Sequence, residues 1–506
     1  MSPRAKKILL LLLAAALLAG SGQVQKSLNR DRNKLDLTRM APLKNAPPLL
    51  AFTTVALGGF RGLISNLLWI RANELQQEDK FFEMVQLADW ITDLEPHFSQ
   101  VWAFQAWNMA WNISVTFKDF SDRWRWVQRG MELLRDDGLR YNPDDPLLYW
   151  QLSWIFQSKM GQNMDDADFY YKEQWAREMT PFFGPDGTNF AELLHPQTAE
   201  ARALVKEFRD KYKMDPAVVK KVDDQWGPLD WRLPEASAIY WAALGLEKVK
   251  ENPGKVKQSD VMNLRRSIYQ SMLQAFYHGR LIVNPFDQSY DFYPDLVLIP
   301  KVNNAYETMY AEEANPGEKN NIQTAHWNFL RDAVYFLYED NRLAEAAKWF
   351  RYLCRKYPDR PLLDNEPNSL PSQMTLDQYA IASVQGDVNG MSQDRTTAVV
   401  EGLLAHAYYA LAIGDDDRYA GFKLLAAKIY AQYQKKIASY HEQERVGLPA
   451  FADINRTVLK HLLDPKQGMP FAARAVLRSQ LGLPSETVST NAPEAVGTNT
   501  SSSAGK

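Results

Sequence analysis

The sequence predicts an all-helical fold, and three observations carry that reading. Apolar residues recur at helical spacing from about residue 47 to 180 and again from 234 onward. No alternating run of apolar and polar residues is long enough to build a sheet, so strands are at most incidental. The helical runs stop at proline-bearing turns such as "EPHFS", "YNPDDP" and "TPFFGPDG", where one helix can fold back on the next.

The bulk numbers narrow the function. Lys and Arg total 58 against 61 Asp and Glu, a net charge of −3, so no basic field favours nucleic acid. A single cysteine, Cys354, rules out an intramolecular disulfide and a thiolate metal cluster. Fifteen tryptophans in 506 residues is more than packing ordinarily demands.

At the N-terminus, "MSPRAKKILLLLLAAALLAGSG" sets Arg4, Lys6 and Lys7 ahead of an uncharged run from Ile8 to Gly20. That run is too short for a full span of about 20 residues and suits a signal-peptide core. Residues 1–22 therefore read as a signal peptide or uncleaved anchor, and 23–46, with Lys26, Arg30, Arg32 and Lys34, as a polar tether. The expectation is export to the periplasmic face of a bacterial inner membrane, with the N-terminal segment as the membrane contact. "PPLLAFTTVALGGF" (47–60) is again too short to span and reads as a first buried helix.

Residues 47–180 form an N-terminal helical region, and 181–233, with "FGPDG" and "WGPLDWRLP", a loop-rich insert. A connecting region, 234–320, holds two helical stretches (235–250 and 259–282) and a loop rich in Tyr, Phe and Pro. Helices resume over 321–483, and the small, polar tail 484–506 is expected to be disordered.

The stretch "EAAKWFRYLCRKYP" (345–358) gives the architecture its detail. Ala346, Phe350 and Leu353 fall on one helix face, and Pro358 stops the helix. Upstream, "WNFLRDAVYFLYEDNRL" supplies a partner helix with Leu330, Ala333, Val334 and Leu337 on its inner face. This pattern resembles the 34-residue tetratricopeptide repeat. It recurs after Pro96 (Trp102, Ala106, Met109) and after Pro143 (Tyr149, Leu152, Ser153, Phe156). It appears again with Leu403, Ala407, Ala410 and Gly414, followed after a one-residue slip by Ala420, Leu424 and Ala427. Pro96 and Pro143 stand 47 residues apart, so one repeat carries an insertion, and 181–320 fits poorly. The expected fold is thus all-α, a helical-hairpin solenoid of degenerate repeats with insertions.

In the repeat family the first helix of each pair lines a concave binding face. The resemblance places Trp107, Trp154, Tyr335 and Tyr408 at one inward position, with Trp150 and Arg331, Trp111, and Tyr338 at three others. Such an aromatic lining suits a protein or peptide ligand. Arg331 and Asn328 are the only echo of the clamp by which some relatives hold a peptide's C-terminus. Packing inside the core is the competing use for all of these rings.

Catalytic and metal-binding patterns are lacking: there is no HExxH, GxSxG, Walker A loop or GxGxxG, and the seven histidines are scattered. No cofactor is expected. "MDDAD" (164–168) and "GDDDR" (414–418) lack calcium-loop spacing and read as solvated turns. The most enzyme-like stretch is "PLDWRLPEASAIYW" (228–241), where Asp230 and Glu235 sit among Trp231, Tyr240 and Trp241, a carboxylate pair of the kind that cleaves glycans. The sequence therefore predicts a non-catalytic protein-interaction scaffold. Two alternatives stand beside it: a periplasmic glycan-binding or glycan-cleaving protein, and a structural subunit of a membrane complex.

Overall fold

Helical periodicity in the sequence becomes helix almost throughout. The computed structural model describes residues 17, 20–28, 30–31, 61–78, 80–162, 164–252, 257–286, 289–364, 366–385, 393–438 and 448–486. The chain divides into two compact units, residues 1–155 with 248–260, and residues 156–247 with 261–506. No helix among the described residues is long and apolar enough to cross a membrane. Most of the leader, and all of 47–60, lie outside the described residues.

In the first unit α1 (Arg61–Gln77) packs on α2 (Phe81–Leu94), sharing a core of Ala72, Leu75 and Met84. α3 (Ser99–Trp107) runs into a π-helical segment, Asn108–Ile113. α4 (Phe120–Glu132) and α5 (Pro146–Trp154) follow, each started by an aspartate, Asp119 or Asp145, that accepts from the backbone two residues on. A second π-helical segment, Leu133–Gly138, continues α4. Two corners are built alike. Trp102 donates its indole N–H to the Pro96 carbonyl at 2.9 Å, and Tyr149 donates its hydroxyl to the Pro143 carbonyl at 2.8 Å. Each bond reaches back six residues across the turn and ties a helix start to the preceding helix end.

The second unit begins within a third π-helical segment, Ile155–Gly161, which α6 (Asp168–Phe183) follows. The stretch expected to be loop-rich, 181–233, instead carries α7 (Ala199–Tyr212) and α8 (Pro216–Trp226). Thr198 caps the first, while Asp215 and Pro216 open the second, and these local signals outweigh the turn residues between them. α9 (Pro234–Glu251) and α10 (Gln258–His278) follow. After them, Arg280–Val283 (β1), at the end of the stretch expected as helix to 282, pairs antiparallel with Tyr290–Tyr293 (β2) of the expected aromatic loop, Arg280 opposite Tyr293.

α11 (Ile299–Glu312), α12 (Pro316–Glu339) and α13 (Leu343–Lys356) continue the unit. α12 and α13 pack together across a turn at Asn341, with Leu330, Ala333, Val334 and Leu337 buried on one helix and Ala346, Phe350 and Leu353 on the other. α14 (Leu376–Gln385) leads to α15 (Gln393–Ala412) and α16 (Asp416–Ala438), a second tightly packed pair. α17 (Phe451–Leu462) and α18 (Phe471–Gln480) close the described chain.

The small residue at the closest approach of α16 is Gly421 rather than Ala420. A methyl there would lie 1.9 Å from the Glu339 carbonyl oxygen at the end of α12. Further along, Glu486 falls in the expected tail, yet Arg474 grips both of its carboxylate oxygens at 3.0 Å. At the centre of the α12 region, buried His326 uses both ring nitrogens, one toward Asn303 Oδ1 and one toward the Tyr357 hydroxyl, each at 2.9 Å.

Two outcomes follow from these contacts. Gly421→Ala meets backbone, not a yielding side chain, and should lower stability by about 1–3 kcal/mol in a denaturant titration. Burial holds His326 down at about 4. The unfolded chain therefore takes up a proton that the folded chain refuses, and stability is lost as pH falls through that window. The advantage of wild type over His326→Gln should shrink by about 3 kcal/mol between neutral pH and pH 4.

Candidate functional site

The nine residues singled out by sequence divide between the units, with Trp107, Trp111, Trp150 and Trp154 in the first. All four are half-buried. Three of them form a stack. Trp111 lies on Trp154 with ring centroids 4.4 Å apart and planes 14° from parallel, and Trp150 stacks on Trp154 at 6.1 Å and 24°. The stack follows from local geometry, since Trp150 and Trp154 are four residues apart on α5, and α5 packs against α3. Trp111 is delivered by the π-helical continuation of α3, a geometry that recurs at functional sites. On the same run of helix Gln105 and Asn108 are fully buried.

The second-unit candidates are placed differently. Tyr338 and Tyr408 are 1% and 3% exposed, so both are core residues and leave the candidate binding face. Their hydroxyls explain the burial: Tyr338 donates to Asp377 at 2.6 Å and Tyr408 to Asn455 at 2.8 Å. Tyr335 is half-buried beside Phe336. Arg331 is engaged by Asp364 at 2.9 Å and lies over the Trp327 ring at 4.6 Å, while exposed Asn328 accepts a long bond from it at 3.4 Å.

Asp230 and Glu235 do not face a common opening. Asp230 lines a cleft of 1040 Å³ with Asp186, Asp295 and Asp415–Asp417, and is held by Arg232 through Nε at 2.8 Å. Glu235, at the first turn of α9, is 2% exposed and is not part of that lining. Burial pushes its carboxyl up to about 7, against the pull of Lys172. Glycan cleavage needs two carboxylates at one bond, which this arrangement does not supply. Burial also raises the Cys354 thiol, away from nucleophilic character. Among the described residues no group of three or more His, Cys, Asp or Glu side chains is arranged to hold a metal.

Sequence reasoning missed the charged interior of the second unit. In "MDDAD", read as a solvated turn, the carboxylates of Asp165 and Asp168 are buried as the partners of Lys159 and Lys172. The signal was present: Asp168 and Lys172 share a helix face four residues apart, and Lys159 sits in the apolar run "IFQSKMG". "GDDDR" fits its reading better, with Asp416 and Asp417 exposed.

Compared with known proteins, the chain matches no family model, no curated protein and no solved structure.

The buried pair gives a double-mutant test. Lys172→Met alone strands Asp168 and should cost about 3–5 kcal/mol, whereas Lys172→Met with Asp168→Leu should recover most of that loss. Equal instability of the single and double variants in urea melts would mean the pair is not the source of the effect.

Proposed function

We propose that this chain is a non-catalytic protein-interaction scaffold whose partner docks on the tryptophan stack of the first unit. The observation that carries this reading is the half-exposed Trp111–Trp154–Trp150 stack. Stacked indoles form a rigid apolar body with polar N–H edges, which costs little entropy to immobilise against a partner. Because the rings spend faces on one another, they present less flat area to a sugar ring than separate tryptophans would. That favours a protein or peptide partner over a glycan.

The helix pairs are, in this reading, degenerate tetratricopeptide-like repeats. The matched corners at Pro96 and Pro143 and the buried Ala346, Phe350 and Leu353 face support it. The charged and apolar N-terminal pattern would hold the scaffold at the outer face of a bacterial inner membrane.

A photo-crosslinking residue at Trp107, beside the stack, tests the docking. Wild type should give one discrete protein adduct on native membranes, and alanine at both Trp111 and Trp154 should abolish it. The variant should remain folded, because half-exposed rings cost less to truncate than the roughly 3–5 kcal/mol of a buried tryptophan. A folded variant that keeps the adduct would remove the stack as the docking site. Protection of tryptophan fluorescence by soluble oligosaccharides would instead favour a glycan ligand.

A further inference from the structure

α1 is apolar on two sides, and α2 covers only one of them. The inner side packs Ala72 and Leu75 against Met84 of α2. On the outer side Leu63, Leu67 and Ile70 fall at i, i+4 and i+7, and each is more than half exposed. Together they make one stripe about 10 Å long. Single exposed apolar residues are ordinary on a protein surface, but a helix that is apolar all round belongs between two layers. α2 is the first layer.

The polarity of the outer side points to the second. Glu74 continues the line of the stripe one turn beyond Ile70, ion-paired with exposed Arg71 at 2.9 Å, and exposed Glu78 follows. Ahead of the stripe the chain is uncharged: from Asn45 to Ile70 the one charged residue is Arg61. Residues 1–60 lead into the apolar end of α1, and they carry the uncharged run Ile8–Gly20 read as the membrane contact. The outer side therefore turns from apolar to charged along one helix, in the direction leading away from that contact. A bilayer surface has the same order, apolar below and charged at the headgroups. α1 is not long and apolar enough to cross a bilayer, so it would lie in the surface.

We propose that the Leu63–Leu67–Ile70 face of α1 is a lipid-docking surface, seated at the boundary between headgroups and acyl chains. The inference deepens the anchoring reading and rests on it, because the N-terminal run is what brings α1 to lipid. With that run inserted, seating the stripe is an intramolecular step, and a contact of three side chains suffices where it would be too weak alone. The tether by itself leaves the first unit free to turn; a docked stripe holds one side of it toward the membrane.

The test uses the full-length protein carrying Cys354→Ser and reconstituted in phosphatidylcholine vesicles. One nitroxide label is attached at a time, through Leu63→Cys or Leu67→Cys on the stripe, Gln77→Cys on the charged end of α1, or Leu13→Cys in the leader. Oxygen, which partitions into lipid, and a water-soluble nickel chelate report what each label meets. The stripe labels should be relaxed by oxygen and shielded from the chelate several-fold relative to the label at residue 77. A label at residue 67 as open to the chelate as the one at 77 would put the stripe in water and overturn the proposal. Shielding from both reagents would mean that protein covers the stripe, whether residues 45–60 or a second copy, and would overturn it too. The leader label keeps the two readings apart. Residue 13 in lipid with residue 67 in water removes the docking face and keeps the anchor, while the reverse removes the anchor and keeps the docking face.

Discussion

The arrangement of the second unit depends on charges that cannot be left alone. Lys159 and Lys172 lie inside it with side chains only 3% exposed, and each is answered by an aspartate from the same short stretch of chain. Removing a lysine head from water costs several kcal/mol, so neither partner can be lost cheaply: Lys159–Asp165 ties the π-helical segment to the turn before α6, and Lys172–Asp168 pairs two side chains one turn apart on α6. The Lys159 side chain leans over the Tyr171 ring, and the Tyr171 hydroxyl donates to Asp165, so an aromatic completes the network.

The first unit solves the same problem with lighter means. Its corners are tied by hydrogen bonds from an aromatic side chain to a proline carbonyl. Asn142 adds a second donor to the Pro96 carbonyl at 2.8 Å, and the Ser99 hydroxyl bonds Asp145, so the two corners are linked to each other. Tryptophan serves at one corner and tyrosine at the other because each offers a donor at the tip of a large apolar body.

Helix content was legible because periodicity is a local property. Ala346, Phe350 and Leu353 could be placed on a buried face from spacing alone, and the structure buries all three. What was hidden depends on distant chain. Nothing near Tyr338 or Tyr408 announces that Asp377 and Asn455 wait to receive their hydroxyls, so they read as free aromatics. Asp165 and Asp168 are a different case: they looked like surface charge because acidic runs usually are, although their lysine partners stand only six and four residues away. Gly421 was passed over for Ala420 because only the Glu339 carbonyl reveals how near the neighbouring backbone comes. The short helices in 181–233 escaped because capping residues, not long apolar stripes, define them.

The π-helical stretch Asn108–Ile113 carries a consequence of its own. Such a stretch is an ordinary helix with one residue too many, absorbed by widening the turn. Everything C-terminal to the widening is rotated relative to what an uninterrupted helix would present. The meeting of Trp111 with Trp154 thus rests on chain length as much as on residue identity. A chain with every tryptophan in place but one residue fewer before Trp111 would have the same composition at its surface and a different surface.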